Sequence, residues 1–121
     1  MNYESYKTVE SRACPGVRFR VRRLSLTRRM ELVGLIRETG EKLAFHMAGD
    51  SVVDAAQAAE IRARMDELYI RWGLTEIEGL TIDGEEVRTE NLLERGPDAL
   101  AREIVDTVKN ELFLNEEERK N

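Results

Sequence analysis

The side chains able to do chemistry are few and scattered. One histidine (His46) and one cysteine (Cys14) are the only imidazole and thiol in 121 residues. One of each cannot complete a zinc site, and the acids show no calcium-loop spacing. The carboxylate pairs Asp66-Glu67, Glu85-Glu86 and Glu116–Glu118 are neighbours along the chain. That spacing suits solvated faces better than a catalytic dyad. The glycines form neither GxGxxG nor a phosphate loop. His46 lies near a helix end beside Phe45 and Met47, where a histidine most often caps or faces solvent. Cys14 reads as a small residue near the start of the fold, and a catalytic thiol is the lesser alternative. No enzymatic activity, cofactor or metal is expected.

The arginines are the other chemically loaded set. Between Arg12 and Arg29 lie Arg18, Arg20, Arg22, Arg23 and Arg28 with no acid among them. Residues 1–40 carry nine Lys/Arg and four Asp/Glu, and residues 41–121 carry ten and twenty, so a net charge of −5 hides a polar division. A basic stretch on an acidic protein marks a nucleic-acid contact, a surface matched by the chain's own acids, or a contact with another copy. Phe19 alternates inward with the valines, which leaves no aromatic interleaving among the arginines for bases to stack on. Pairing of Arg with Glu inside the protein is the simpler account.

These residues must be carried by a small fold. A chain of this length fits one domain with one modest core. No apolar run of about 18 residues is present, so no membrane span is expected. The first residues lack the basic and apolar regions of a signal peptide, and a lone cysteine suits a reducing compartment. Cytoplasmic residence is the expectation.

Along the chain, residues 1–14 read as a flexible N-terminal arm, 15–115 as a single α+β domain, and 116–121 as a polar C-terminal tail. After Pro15-Gly16, Val17, Phe19 and Val21 alternate with Arg18, Arg20 and Arg22. This predicts a strand near 16–23 with one buried and one wet face. Successive outward arginines need acidic neighbours across the sheet, and Glu76, Glu78, Glu85 and Glu86 are the candidates.

Ser25 or Thr27 caps a first helix over about 26–47. Its apolar row is Leu26, Met30 and Val33, widened by Leu32, Leu35, Ile36 and Leu43. Asp50 or Ser51 caps a second helix, in which Ala58, Ile61, Met65, Leu68 and Trp72 recur at 3-4-3-4 spacing. That seam packs against the preceding helix or, alternatively, forms a dimer interface. Leu74–Leu80 and Thr81–Val87 follow, with Asp83-Gly84 suited to a type I′ turn, which places a hairpin near 76–88. Leu74 and Ile77 fall on opposite faces in strict alternation, so only part of this segment need be strand. Thr89 caps a short helix that Gly96 stops. Pro97 and Asp98 open a last helix whose stripe is Leu100, Ile104, Val108 and Leu112. The expected fold is α+β, mainly helical, with a small antiparallel sheet against about four helices.

Several of these segments resemble small proteins of tailed-phage and prophage morphogenesis modules, specifically the tail assembly chaperones of long-tailed phages. The resemblance lies in Pro15–Phe19 (PGVRF), Arg28–Leu32 (RRMEL), Tyr69–Leu74 (YIRWGL), Gly79–Gly84 (GLTIDG), Leu92–Pro97 (LLERGP) and Glu116–Asn121 (EEERKN). It implies a non-enzymatic chaperone in the host bacterial cytoplasm that binds the helical tape measure protein while tail tube subunits polymerise. The tail tube protein and a second copy of the chain are further partners in that picture. Such proteins come in short and frameshifted long forms, and EEERKN suits the end of a short form or the boundary of a longer one. A helical client needs an apolar groove with polar edges, for which Met30, Met47, Met65 and Trp72 are the candidate residues, with Arg18, Arg20 and Arg22 as charged contacts. Each of the apolar four is also a plausible core residue. The alternatives are a structural virion component of the neck or tail-completion kind, or a nucleic-acid binder acting through the arginine strand.

Overall fold

A computed structural model describes the backbone of residues 1–47, 49 and 51–120, and their side chains other than those of 46, 47 and 114–120. The element order is β1 (Tyr6–Glu10), β2 (Arg18–Arg22), α1 (Leu26–Met47), α2 (Val52–Gly73), β3 (Leu74–Glu78), β4 (Thr81–Ile82), β5 (Glu85–Glu86), α3 (Thr89–Arg95) and α4 (Asp98–Lys120). The α+β class expected from the pattern is the fold observed.

The sheet is organised differently from the expectation. Strands β1, β2 and β3 form one antiparallel sheet in that order, while β4 and β5 form a separate two-stranded ribbon. Strand β1 lies inside the stretch read as a flexible arm. Its residues pair with β2 from Tyr6 opposite Arg22 to Glu10 opposite Arg18. Beyond it, Ser11 Oγ donates to Glu103 Oε1 at 2.6 Å and the Arg12 N–H donates to Glu103 Oε2 at 2.7 Å. One carboxylate on α4 thus clamps the end of β1. The polar sequence of this stretch concealed a strand because its inward residues, Lys7 and Val9, make a weak apolar face.

In β2 the alternation acts as expected: Val17, Phe19 and Val21 are buried, and Arg18 and Arg20 are exposed. A bulge resolves the conflict in β3. Arg20 faces Glu76 and Val21 faces Leu74, so Thr75 is an extra residue on β3. The bulge returns both Leu74 and Ile77 to the inner face, which strict alternation forbids. The Thr75 hydroxyl donates to the Arg20 carbonyl at 3.1 Å and holds the bulge in place.

Beneath the sheet lies the core, where Leu100, Ile104, Val108 and Leu112 of α4 meet Phe19, Val21, Ile70 and Leu92. The predicted α4 stripe is the buried one. Gly73, at the end of α2, is where helix meets helix: a Cβ there would stand 2.5 Å from Val108 Cγ2. The α4 backbone stays helical to Lys120, through the segment read as a polar tail.

Asp83 and Gly84 both take positive φ, +51° and +79°, as a type I′ turn requires, and Thr81 faces Glu86 across it. The cap of α3 differs from the expectation. Asn91 rather than Thr89 closes it, accepting from the Arg88 N–H at 2.7 Å and donating to the Glu86 carbonyl at 3.0 Å. Two hydrogen bonds explain why a buried asparagine is tolerated there. Ser25 caps α1 by accepting from the Arg28 N–H, and Ser51 caps α2 by accepting from the Asp54 N–H.

Candidate functional site

Helices α1 and α2 form an antiparallel pair, each 22 residues and so roughly 33 Å long. The 3-4-3-4 seam of α2 is used inside the chain: Ala58 and Trp72 are buried, and Met65 and Leu68 are partly buried against the core. Trp72 is 8% exposed, and its indole N–H donates to Glu31 Oε1 of α1 at 2.9 Å. Above it, the Arg22 guanidinium lies 5.9 Å from the indole centroid. Trp72 therefore joins α1, α2 and β2, and Met65 is partly buried against the core.

On α1 the expected apolar row is on the wrong side. Leu32 is fully buried and Ile36 packs on the core, whereas Leu26 is 74% exposed, Met30 76% and Val33 42%. The sequence holds two interleaved rows. Leu32, Ile36, Thr39 and Leu43 recur at 4-3-4 spacing toward α2. Leu26, Met30, Val33, Arg37, Gly40 and Ala44 recur at 4-3-4-3-4 spacing on the other side. Both satisfy the same 3.5-residue period, so periodicity alone cannot select the one that faces the core. The open row is apolar or small except for Arg37, and among the described residues Leu26 and Met30 in its first turns are exposed.

The four apolar candidates thus do not line one groove. Met30 is on the open row, Met65 and Trp72 are inside the hairpin, and the side chains of Met47 and His46 lie outside the described residues. A separate cleft of about 400 Å³ lies on the other flank of α1, with Leu35, Leu68 and Trp72 as its floor and Arg64, Glu67 and Arg71 on its rim. Arg71 bridges Glu67 and Glu90, which ties α2 to α3. The same contact holds the Glu90 carboxyl below its ordinary value through hydrogen bonding and charge.

Arg18 and Arg20 are exposed on the outer face of the sheet, as the alternation required, whereas Arg22 is half-buried over Trp72, with its Nε buried and without a hydrogen-bond partner among the described residues. Arg18 pairs with Glu10 at 3.0 Å and Arg20 with Glu76 at 3.9 Å. Arg20 also lies 5.5 Å from the centroid of Tyr6. The expected acidic partners are half right. Glu76 and Glu78 flank β2 from β3, but Glu85 belongs to the separate ribbon and pairs with Arg88 and Arg95. Glu10, from the stretch read as an arm, supplies the missing acid. At Arg18 and Arg20 the charges are matched, so the face offers phosphate fewer unopposed cations than the sequence alone suggests.

Among the described residues, no group of three or more His, Cys, Asp or Glu is placed to hold a metal ion. No helix among them is long and apolar enough to cross a membrane. Compared with protein-family models, with curated proteins and with solved structures, the chain matches none.

Proposed function

We propose that this protein is a non-enzymatic assembly chaperone of the tailed-phage kind, which takes an amphipathic helix of the tape measure protein on the open row of α1. The observation that carries the proposal is the exposure of Leu26, Met30 and Val33 at coiled-coil spacing on a helix whose opposite side is already packed. A helix laid along that row would bury it against α1, on the side not used by α2. Methionine in the middle of the row adapts to the varied side chains of a long helical client. The sheet arginines, matched by Glu10 and Glu76, leave the apolar row as the surface with the most to gain from a partner. In this picture the protein acts in the host bacterial cytoplasm and leaves once the tail tube has formed.

Co-expression with the tape measure protein encoded nearby tests this. The wild-type chain raises the soluble fraction of the client and co-purifies with it, and Met30→Glu or Val33→Glu abolishes both while leaving the fold intact. Unchanged client solubility with wild type, or full activity of both variants, would overturn the proposal. Mass spectrometry of purified particles separates it from a structural role. A chaperone is missing from the virion, whereas a neck or tail-completion protein is present at fixed copy number.

A further inference from the structure

The exposed edge of β1 carries information that the α1 row does not. The Arg23 N–H donates to the Ser5 carbonyl at 3.0 Å, and the Ser11 N–H donates to the Val17 carbonyl at 2.8 Å. Both pairs continue the register in which Tyr6 faces Arg22 and Glu10 faces Arg18. Hydrogen-bonded and non-bonded pairs alternate in an antiparallel ladder. Residues 5, 7, 9 and 11 therefore turn their N–H and C=O groups toward β2, and Tyr6, Thr8 and Glu10 turn theirs away from it. The sheet order gives β1 no neighbour on that side, and within the described residues nothing bonds to these backbone groups.

Proteins usually blunt such an edge with proline or with an inward charge. Strand β1 has no proline, and its inward charge, Lys7, is matched by Glu111 at 3.5 Å. Alongside the edge runs an open groove of about 720 Å³ between β1 and α4, lined by Val9, Ala13, Ala99, Arg102 and Asp106 among others. A strand added to the edge has room for its inward side chains there.

We propose that the occupant of this edge is β1 of a second copy, paired antiparallel about a two-fold axis at Thr8. In that register Tyr6 faces Glu10 of the other copy, Thr8 faces Thr8, and Lys7 faces Val9. All the outward N–H and C=O groups of the three edge residues find partners, a phenol meets a carboxylate, two hydroxyls meet at the axis, and no like charges oppose. Sliding by two residues one way sets Glu10 against Glu4, and sliding the other way leaves Tyr6 against Arg12 with fewer bonds. The product is one continuous sheet of six strands, with the α1 rows left free. This inference rests on the edge alone and stands or falls apart from the client reading.

The test is the oligomeric state of the full chain by light scattering and sedimentation. Wild type is dimeric at about 100 µM, and Thr8→Pro weakens association roughly 30-fold or more through two lost bonds across the axis. The Thr8 N–H takes no part in the β1–β2 ladder, so proline there leaves circular dichroism near wild type, and the melting temperature too at dilutions where both chains are monomeric. Val9→Pro, which breaks the ladder, is the destabilised control. A second arm places Thr8→Cys in a Cys14→Ser background, where a short bifunctional thiol reagent links the two copies at the axis and Glu10→Cys in the same background, displaced along the strands from its own symmetry mate, links none. A monomeric wild type at about 500 µM, a folded Thr8→Pro variant that stays dimeric, or no Thr8→Cys cross-link overturns the proposal.

Discussion

Trp72 and Glu31 are joined across the α1–α2 pair by an indole N–H···carboxylate bond of 2.9 Å, and this bond fixes the rotation of α1 about its own axis. With Glu31 held over Trp72, Leu32 and Ile36 turn into the core and Leu26, Met30 and Val33 turn out. Trp72→Phe should cost about 1–2 kcal/mol by loss of the bond, while Trp72→Ala should cost about 3–5 kcal/mol by leaving a cavity. Urea unfolding followed by circular dichroism measures both. An alanine variant as stable as wild type would remove Trp72 from the structural role assigned here.

The two rows of α1 should respond oppositely to truncation. Leu32→Ala is expected to cost about 2–5 kcal/mol, as a fully buried leucine does. Met30→Ala should stay within about 0.5 kcal/mol of wild type, because that side chain already faces solvent. Equal losses at the two positions would mean that α1 does not bury Leu32 in preference to Met30.

Gly73 should tolerate no side chain. Alanine there brings its Cβ to 2.5 Å from Val108 Cγ2, and the overpacking should cost about 1–3 kcal/mol. Trimming Val108 to alanine in the same chain removes the obstacle. A double-mutant cycle should therefore show the two losses to be non-additive, with the double variant more stable than their sum predicts. Simple additivity would place the cause elsewhere.

Acid should weaken the link between α2 and α3. The Glu90 carboxyl sits below its usual value because it accepts hydrogen bonds from Arg71 and feels its charge. A carboxyl lowered in the folded state adds stability above its unfolded value, and that stability disappears as pH falls through the folded one. The contact is exposed, so the effect is small and sensitive to salt. Relative to Arg71→Gln, wild type should lose its advantage below the ordinary carboxylate range. A constant difference between the two from pH 7 to pH 2 would contradict the assignment.

The clamp at the end of β1 gives a further prediction. Ser11→Ala removes the donor to Glu103 and the acceptor of the Cys14 N–H, and should cost about 1–2 kcal/mol. Hydrogen exchange should localise that loss to β1 rather than spread it over the whole core. Uniform acceleration would show that β1 and α4 unfold as one unit.

Much of this arrangement was determined by sequence. Alternation over Val17–Arg22 placed Arg18 and Arg20 outward, the Leu100–Leu112 stripe named the buried face of α4, and Asp83-Gly84 specified the tight turn. Each of these rests on local chemistry or on a single unambiguous period. Tertiary structure decided the rest. Tyr6–Glu10 is too polar to announce a strand, and it becomes one because β2 offers a partner and Glu103 holds its end. The bulge at Thr75 depends on the register against β2, which no local pattern encodes. Two rows of equal period on α1 left its orientation open until Trp72 met Glu31 and Leu32 met the core. The open row and the open edge are both products of that choice, because a surface is free only once the fold has settled what covers the others.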